Sequence, residues 1–127
     1  MKKEFIEAQV NMGFTQAIAV EANGLKTIYV SGQVGESADL KSQSIEAFAN
    51  LERRLAAAGA KPADVVKLTT FIVDYSPDKV RDAFAGQPRV FTDREHPPAN
   101  TVVGVQALFQ PHLLLEVEAV AVVEAES

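Results

Sequence analysis

The sequence predicts a single α+β domain, residues 1–127, in which a six-stranded mixed sheet carries two helices on one face in the order β-β-β-α-β-α-β-β. Three patterns lead to this prediction. Asn23-Gly24, between two β-rich runs, is typical of a hairpin turn, because both residues tolerate positive φ. Residues 39–58 have the three-four apolar spacing of an amphipathic helix. Residues 113–123 place alternate side chains on two faces, as a strand does.

The first half of the chain is predicted to be a three-stranded meander. Residues 3–9 and 15–21 form its first two strands, and residues 27–31 form a third strand rich in β-branched and aromatic side chains. The helix that follows has one apolar stripe, made of Ile45, Phe48, Leu51, Leu55 and Ala58. Gly59 stands where a left-handed residue commonly ends a helix. Residues 65–73 form the next strand, and a right-handed crossover lays the helix on the sheet.

A second helix is predicted to begin at Ser76-Pro77-Asp78, a capping residue followed by proline at the first helical position and an acid in the first turn. Gly86 and Pro88 interrupt its apolar pattern. The helix therefore either ends there or restarts as a short turn. The last two strands are predicted at about residues 101–108 and 113–123.

Two helices cover only one face of such a sheet, yet several strands are apolar on both sides. Val102, Val103 and Val105 illustrate this, as does the whole of residues 113–123. The second face must also be buried, and in a chain this small the expected cover is another copy of the chain. The pattern therefore predicts a homo-oligomer.

Composition excludes several classes of function. The hydrophobic content of 47% and charged content of 23% are typical of a globular protein. The net charge of −5, with scattered lysines and arginines, argues against a nucleic-acid-binding groove. No cysteine is present, so disulfides and thiolate metal sites are excluded. Since neither a signal peptide nor a run of about 18 apolar residues is visible, we expect no membrane partner and a cytoplasmic location.

Glu116 and Glu118 are the most conspicuous candidates for a functional site. They lie one pleat apart on a strand face that otherwise carries Leu114, Val120 and Val122. Charges are rarely left on such a face unless they reach a groove, a partner or a ligand. Glu116 is therefore a candidate to accept a proton from water or to hold a ligand. The alternatives are an exposed strand charge or an ion pair between subunits, and for Glu118 a structural role is favoured.

No motif indicates a metal or another cofactor. His96 and His112 are 16 residues apart with no third ligand beside them, which disfavours a metal site. The chain has neither a Gly-x-Ser-x-Gly nucleophile motif nor a phosphate-binding glycine loop. We therefore expect neither a metal ion nor a nucleotide cofactor.

Five segments, taken in order, resemble the Rid family (reactive intermediate deaminase, also called YjgF). They are Gln16-Ala17-Ile18, Ile-Tyr-Val-Ser-Gly-Gln at 28–33, Ala-Ala-Gly-Ala at 57–60 with Asp-Val-Val-Lys-Leu-Thr-Thr at 64–70, Pro98-Ala99, and Leu-Glu-Val-Glu-Ala at 115–119. The resemblance covers nearly the whole chain. It implies a chorismate mutase-like sheet assembled as a homotrimer, with a small-molecule ligand bound between subunits. Enzymes of the family hydrolyse enamines and imines, such as 2-aminoacrylate or 2-iminobutanoate, to 2-keto acids and ammonia.

The resemblance also implies roles for single residues. Glu116 matches the acid that positions a water molecule, and Gly32 matches a glycine that borders the pocket. Phe14 stands where the family has a pocket tyrosine, so the ring is kept and the hydroxyl lost; its alternative role is in the core. Asn100, next to Thr101, replaces the arginine that grips the substrate carboxylate, and an amide cannot repeat that bidentate pair. Asn100 alternatively starts the strand with an Asx-type turn.

Two hypotheses of different class follow. The first is a Rid-like hydrolase for an imine or a related small carbonyl compound, with Glu116 as the catalytic residue and with Gly32, Asn100, Phe14 and Thr101 binding the substrate. The second is a non-catalytic small-molecule-binding or interaction protein on the same trimer. Asn100 favours the second, or a substrate without a carboxylate, and Glu116 favours the first. A nuclease, as some family members are described, fits the negative net charge poorly.

Overall fold

A computed structural model describes residues 1–126 and contains one six-stranded sheet. The strands are β1 (Lys2–Gln9), β2 (Phe14–Ala22), β3 (Leu25–Gln33), β4 (Val65–Val73), β5 (Ala99–Val105) and β6 (Leu115–Glu124). Their order across the sheet is β1-β2-β3-β6-β4-β5. β4 and β5 run parallel, and every other neighbouring pair is antiparallel. The predicted α+β class with a mixed sheet is confirmed.

The predicted hairpin joins β2 to β3. Asn23 and Gly24 occupy its turn with φ of 54° and 78°, the two positive values that an Asn-Gly turn supplies. Pairing continues to Ala22 and Leu25, immediately beside the turn. Both strands are therefore longer than their β-branched runs indicate, because ladder hydrogen bonds extend a strand into residues of weak propensity.

The first helix, α1 (Leu40–Ala57), agrees closely with the prediction. The Asp39 side chain caps it by accepting a hydrogen bond from the Ser42 amide at 2.9 Å. Gly59, with φ of 86°, follows its last turn as predicted. The helix packs against β3 and β6. Its buried side chains form one stripe that begins with two polar residues and continues with apolar ones: Gln43, Ser44, Ala47, Phe48, Leu51 and Leu55.

The second helical region is broken. It consists of a 3₁₀ turn (Pro77–Lys79) and two four-residue helices, α2 (Val80–Ala83) and α3 (Gln87–Val90), both of which contact α1. The Ser76 side chain makes no capping hydrogen bond, so that part of the prediction is wrong. The break lies at Gly86, where the backbone approaches α1 so closely that a Cβ atom would lie 2.3 Å from the Ser44 carbonyl oxygen. The Ser44 hydroxyl accepts from the Gly86 amide at 3.0 Å and donates to a carbonyl of α2 at 2.6 Å.

β5 is displaced from its predicted range of 101–108 to Ala99–Val105. Its register with β4 runs from Lys67 opposite Ala99 to Val73 opposite Val105. β4 ends at Val73, so the residues after Val105 have no β4 residue opposite them with which to pair, and β5 ends there. β6 begins two residues later than predicted, at Leu115.

α1 and the short helices cover one face of the sheet and leave the other open. On β6 the side chains of Leu115, Val117, Ala119 and Ala121 are buried beneath α1, and the even-numbered residues lie on the open face. Phe5 and Tyr29 belong to that face by their register and are 61% and 52% exposed. Within residues 1–126, no helix combines the length and hydropathy needed to cross a bilayer.

Candidate functional site

A cleft of about 470 Å³ lies where the ends of β2, β3 and β6 meet the loop before β6. Glu116, Gly32 and Phe14, three of the residues that the resemblance assigns to one site, all line this cleft. The complete lining is Met12, Phe14, Gly32, Val34, Glu36, Phe109, Gln110, Leu113 and Glu116. Most of this wall is apolar, and Phe14 is part of the wall rather than of the buried core.

Gly32 makes room for the Glu116 carboxylate. A Cβ atom on Gly32 would lie 2.0 Å from Glu116 Oε2, far inside van der Waals contact. The pairing of β3 with β6 shifts register between Val30, opposite Ala119, and Gln33, opposite Val117, so Ser31 and Gly32 form a bulge opposite the single residue Glu118. Bulges of this kind redirect side chains, and here the missing side chain lets the carboxylate fold over the backbone of β3.

Polar contacts fix the bulge. The Ser31 hydroxyl donates to the Thr15 carbonyl at 2.5 Å. The Gln33 amide group donates to Gln16 Oε1 at 2.8 Å and to the Ser31 carbonyl at 3.0 Å. Arg54 of α1 donates through Nε to Gln33 Oε1 at 3.2 Å. Hydrogen bonds from β2 and from α1 therefore fix the β3 backbone against which the Glu116 side chain lies.

The Glu116 carboxyl group is partly withdrawn from water. Burial raises its pKa above the ordinary glutamate value, and the nearby negative charge of Glu118 raises it further. Among residues 1–126, no side chain forms a hydrogen bond or an ion pair with this carboxylate. A carboxyl group with a raised pKa and free oxygen atoms is suited to accept a proton and to return it.

This raised pKa predicts a pH-dependent stability difference. The folded state holds the Glu116 proton more tightly than the unfolded state, so the free energy of unfolding falls as pH rises from the unfolded pKa through the folded one. Glu116→Gln does not titrate and should escape this fall. We expect the variant and the natural protein to have similar urea midpoints near pH 4 and the variant to be the more stable near pH 7. Equal midpoints at both pH values would contradict the shift.

One buried glutamine holds both loops at the cleft. Gln43 of α1 is fully buried, and its Nε2 donates to the carbonyls of Ser37 at 2.8 Å and His112 at 2.9 Å. Its Oε1 accepts from the Leu114 amide at 2.8 Å. Ser37 is held a second time, since its amide and hydroxyl both donate to Glu46, with 2.9 Å for the amide. The positions of Glu36 and of residues 109–114 follow from these contacts.

The two histidines each pair with a single carboxylate. His112 Nε2 lies 2.5 Å from Glu36 Oε2 at the cleft, and His96 Nδ1 lies 2.9 Å from Asp93 Oδ2 in an exposed loop. The contact with His96 is the main cause of a lowered Asp93 pKa. In the chain up to residue 126, no three His, Cys, Asp or Glu side chains are grouped as a metal site requires.

Asn100 and Thr101 lie outside this cleft. Asn100 lines a separate depression of about 370 Å³ beside α3, where its Nδ2 is 3.4 Å from Gln87 Oε1. Thr101 accepts a hydrogen bond from Lys67 Nζ at 2.5 Å on the open face. Thr69 of β4 separates Thr101 from Glu118, so those two positions are roughly 10 Å apart at the usual strand spacing.

Sequence analysis misses most of the wall opposite Glu116. Met12 ends a 3₁₀ turn before β2, and Glu36, Phe109 and Gln110 lie on loops. No local pattern connects residues so distant in the chain. Gln43 had a visible signal, because it is a polar residue on the apolar stripe of α1, four residues before Ala47. A polar side chain at such a position is commonly there to satisfy buried backbone groups.

Comparisons with known proteins agree with this architecture. The family model described as Endoribonuclease L-PSP matches residues 6–123. A RutC family protein from Aquifex aeolicus (strain VF5) is 33% identical over 111 residues, covering 82% of this chain and 85% of that protein. A 2-iminobutanoate/2-iminopropanoate deaminase from Dermatophagoides farinae is 28% identical over 123 residues, covering 87% and 86%.

The fold comparison points the same way. The crystal structure of a YjgF/YER057c/UK114 family member from Mycobacterium tuberculosis has a TM-score of 0.79 to this chain at 27% identity, covering 96% of this chain and all of that one. The matched residues 6–123 run from β1 into β6 and include Gly32, Asn100 and Glu116. With the sheet order, the crossover helix and the sequence match all in agreement, this chain belongs to the Rid (YjgF) family.

Proposed function

We propose that this protein is a hydrolase that deaminates a small imine or enamine, with Glu116 as its catalytic acid and base. The observation that carries the proposal is the Glu116 carboxyl group, which lies in an apolar cleft against the bare backbone of Gly32 with a raised pKa. The similarity to a 2-iminobutanoate/2-iminopropanoate deaminase supports this class of reaction. It is tested by ammonia and carbonyl release from freshly generated imine, compared with buffer alone.

The proposed reaction needs one group that moves a proton twice. With the protonated imine as substrate, Glu116 takes a proton from water while the water oxygen bonds to the imine carbon and the C=N π electrons move to nitrogen. It then gives that proton to the nitrogen. As the C–N bond breaks and ammonia leaves, Glu116 takes the hydroxyl proton, the O–H electrons form the carbonyl, and the proton passes to the ammonia to give ammonium. Phe14 and Phe109 line the cleft and would limit other water from reaching the intermediate. General acid-base catalysis of this kind typically contributes about 10²- to 10⁴-fold.

We also propose that the working form is a homotrimer with the site completed between subunits. The open face of the sheet carries the large apolar side chains of Phe5 and Tyr29, which are 61% and 52% exposed and favour a partner that covers them. Asn100 and Thr101 do not reach the Glu116 cleft of their own chain, so only a neighbouring copy can bring them to one. The proposed ligand therefore lies between two copies of the chain.

The trimer predicts a particular mass. Light scattering after size exclusion at micromolar concentration should give about three times the 13.7 kDa chain mass, because burial of the open face favours assembly. Tyr29→Glu would place a charge on that face and should shift the mass towards the monomer, while Glu52→Gln on the exposed side of α1 should leave it unchanged. A stable monomer of the natural protein would contradict the proposal.

Asn100→Arg is expected to increase activity on carboxylate-bearing imines. A guanidinium at this position can form the bidentate, charge-assisted pair that an amide cannot. A gain of at least about tenfold in kcat/KM for 2-iminobutanoate is expected, equivalent to roughly 1.4 kcal/mol. Asn100→Lys is the matched control, since it adds charge without the planar fork and should give a smaller gain. A natural protein already fast on this substrate, or a folded trimeric Arg variant with no gain, would contradict the assignment of Asn100.

A second candidate function is non-catalytic ligand binding on the same trimer. Asn100 favours it, because a site that has lost its carboxylate clamp can still hold a small molecule. Binding at the cleft without product release from any imine would support this candidate. The Endoribonuclease L-PSP description of the family model suggests a third activity, but the net charge of −5 disfavours a nucleic-acid substrate.

A further inference from the structure

The charge of the cleft is one-sided. Glu36 and Glu116 supply two carboxylates and Gln110 a neutral amide, and no lysine or arginine of residues 1–126 lines the cleft. Glu36 has one partner, since His112 Nε2 lies 2.5 Å from its Oε2. A ligand that carries a carboxylate would therefore meet carboxylates of its own sign on this chain's side of the cleft. Because like charges at close range in a partly dehydrated cleft repel, the cleft disfavours an anion.

The aromatic side chains of the cleft favour the opposite charge. Phe14 and Phe109 are 41% and 79% exposed, and both lie on the cleft wall beside Met12. The face of a phenyl ring attracts an organic cation, and it packs equally well against the cation's methylene groups. Two rings next to two carboxylates form a wall that suits a small alkyl- or arylammonium or an iminium ion.

We propose that this cleft selects cationic imines and amines that lack a carboxylate, so that its substrates derive from simple primary amines rather than from amino acids. The inference rests on the proposed hydrolase function and narrows its substrate class. In the reaction, RCH=NH₂⁺ and water give an aldehyde and ammonium. The C–O bond forms as the π pair moves to nitrogen, and Glu116 transfers the water proton to that nitrogen. The C–N bond then breaks as Glu116 takes the hydroxyl proton, which leaves the aldehyde, and passes it to the departing ammonia. Such imines arise when a primary amine is oxidised, so an amine-oxidising reaction must supply the substrate.

Three ligands of one shape test the charge preference. Benzylammonium, benzyl alcohol and benzoate differ at one group, and their binding can be followed through the backbone amide resonances of Gly32 and Leu113. We expect benzylammonium to bind at least about tenfold more tightly than benzoate, with the alcohol between them, and the preference to shrink as salt is added. Benzoate binding as tightly as benzylammonium, or no shift at Gly32 with any of the three, would overturn the inference.

A matched pair of variants assigns the preference to the cleft. Glu36→Gln removes one cleft carboxylate and should reduce the preference for benzylammonium over benzoate by about fivefold or more. Glu52→Gln makes the same change in net charge on the exposed side of α1, and it should leave the preference intact. An equal effect of both variants would show that net charge, and not this cleft, selects the ligand.

Kinetics separates this inference from the hydrolase proposal. The imine of n-butylamine is generated by an amine oxidase and 2-iminobutanoate by an amino-acid oxidase, and each is offered to the natural protein. We expect kcat/KM for the carboxylate-free imine to be higher by at least about tenfold. Faster hydrolysis of 2-iminobutanoate would overturn the inference and leave the hydrolase proposal standing. Charge-selective binding without hydrolysis of either imine would overturn the hydrolase proposal and leave the ligand preference standing.

Discussion

Glu116→Gln should lower kcat/KM for imine hydrolysis by about 10²- to 10⁴-fold while the protein stays folded and trimeric. Glutamine keeps the size and shape of the side chain but cannot accept a proton from water. The change also removes the charge whose burial raises the pKa of Glu116, so stability at neutral pH should not suffer. The measurement is initial-rate ammonia release with the oligomer mass determined on the same preparation.

Glu118→Gln is the matched control for this variant. Glu118 lies on the same strand face one pleat further along, is exposed, and does not line the cleft. Glu118→Gln should change the rate by less than about tenfold. The change should act chiefly through the pKa of Glu116, because the charge of Glu118 helps to raise that pKa. If Glu116→Gln instead dissociates or unfolds the protein, Glu116 is an ion-pair partner between subunits and the assignment of a catalytic role fails.

Gly32→Ala should also abolish most of the activity, by about 10²-fold, although it adds only one methyl group. The new Cβ would occupy the place of Glu116 Oε2 and would lie 2.4 Å from Cδ and 2.7 Å from Cγ. The end of a glutamate side chain can rotate away, so the fold should survive and the loss should appear in the rate. A displacement of about 1 Å in a reacting group can cost this much.

A double-mutant cycle distinguishes displacement of Glu116 from general damage. If Gly32→Ala acts only through the carboxylate, adding it to Glu116→Gln should lower the remaining rate by less than about threefold. A further loss of about 10²-fold in the double variant would mean that Gly32 contacts the substrate itself. An active Gly32→Ala single variant would show that Glu116 has a second productive position, and the geometric argument would fail.

Where one local rule decided an element, sequence analysis predicted it well. The alternation of residues 113–123 correctly placed Glu116 and Glu118 on one face, and Asn23-Gly24 correctly placed the hairpin. Gly86 and Pro88 also correctly predicted the break in the second helical region. The contact with Ser44 that holds this break is 42 residues away, and no local pattern records it. The end of β5 likewise depends on where β4 stops, and no pattern within β5 records that.

The candidate site was only partly predictable for the same reason. Glu116 stands out as a charge on an apolar face, and Gly32 as a glycine at a strand end. Glu36 and Phe109 carry no comparable signal, because they are loop residues that α1 brings to the cleft through tertiary contacts. Asn100 was placed with Glu116 by resemblance alone, and within one chain the two line different depressions.

The contacts of Gln43 link the motions of the two cleft loops. Its three hydrogen bonds reach Ser37 on one side and His112 and Leu114 on the other. Opening either loop leaves part of the buried Gln43 side-chain amide without a hydrogen-bond partner, which costs about 1–3 kcal/mol. Local unfolding that begins in one loop should therefore weaken the other, and we expect the backbone amides of both loops to exchange with solvent as a single cooperative unit. When a ligand orders one loop of the cleft, the shared Gln43 contacts order the other loop as well. Contact with that second loop then costs little additional conformational entropy.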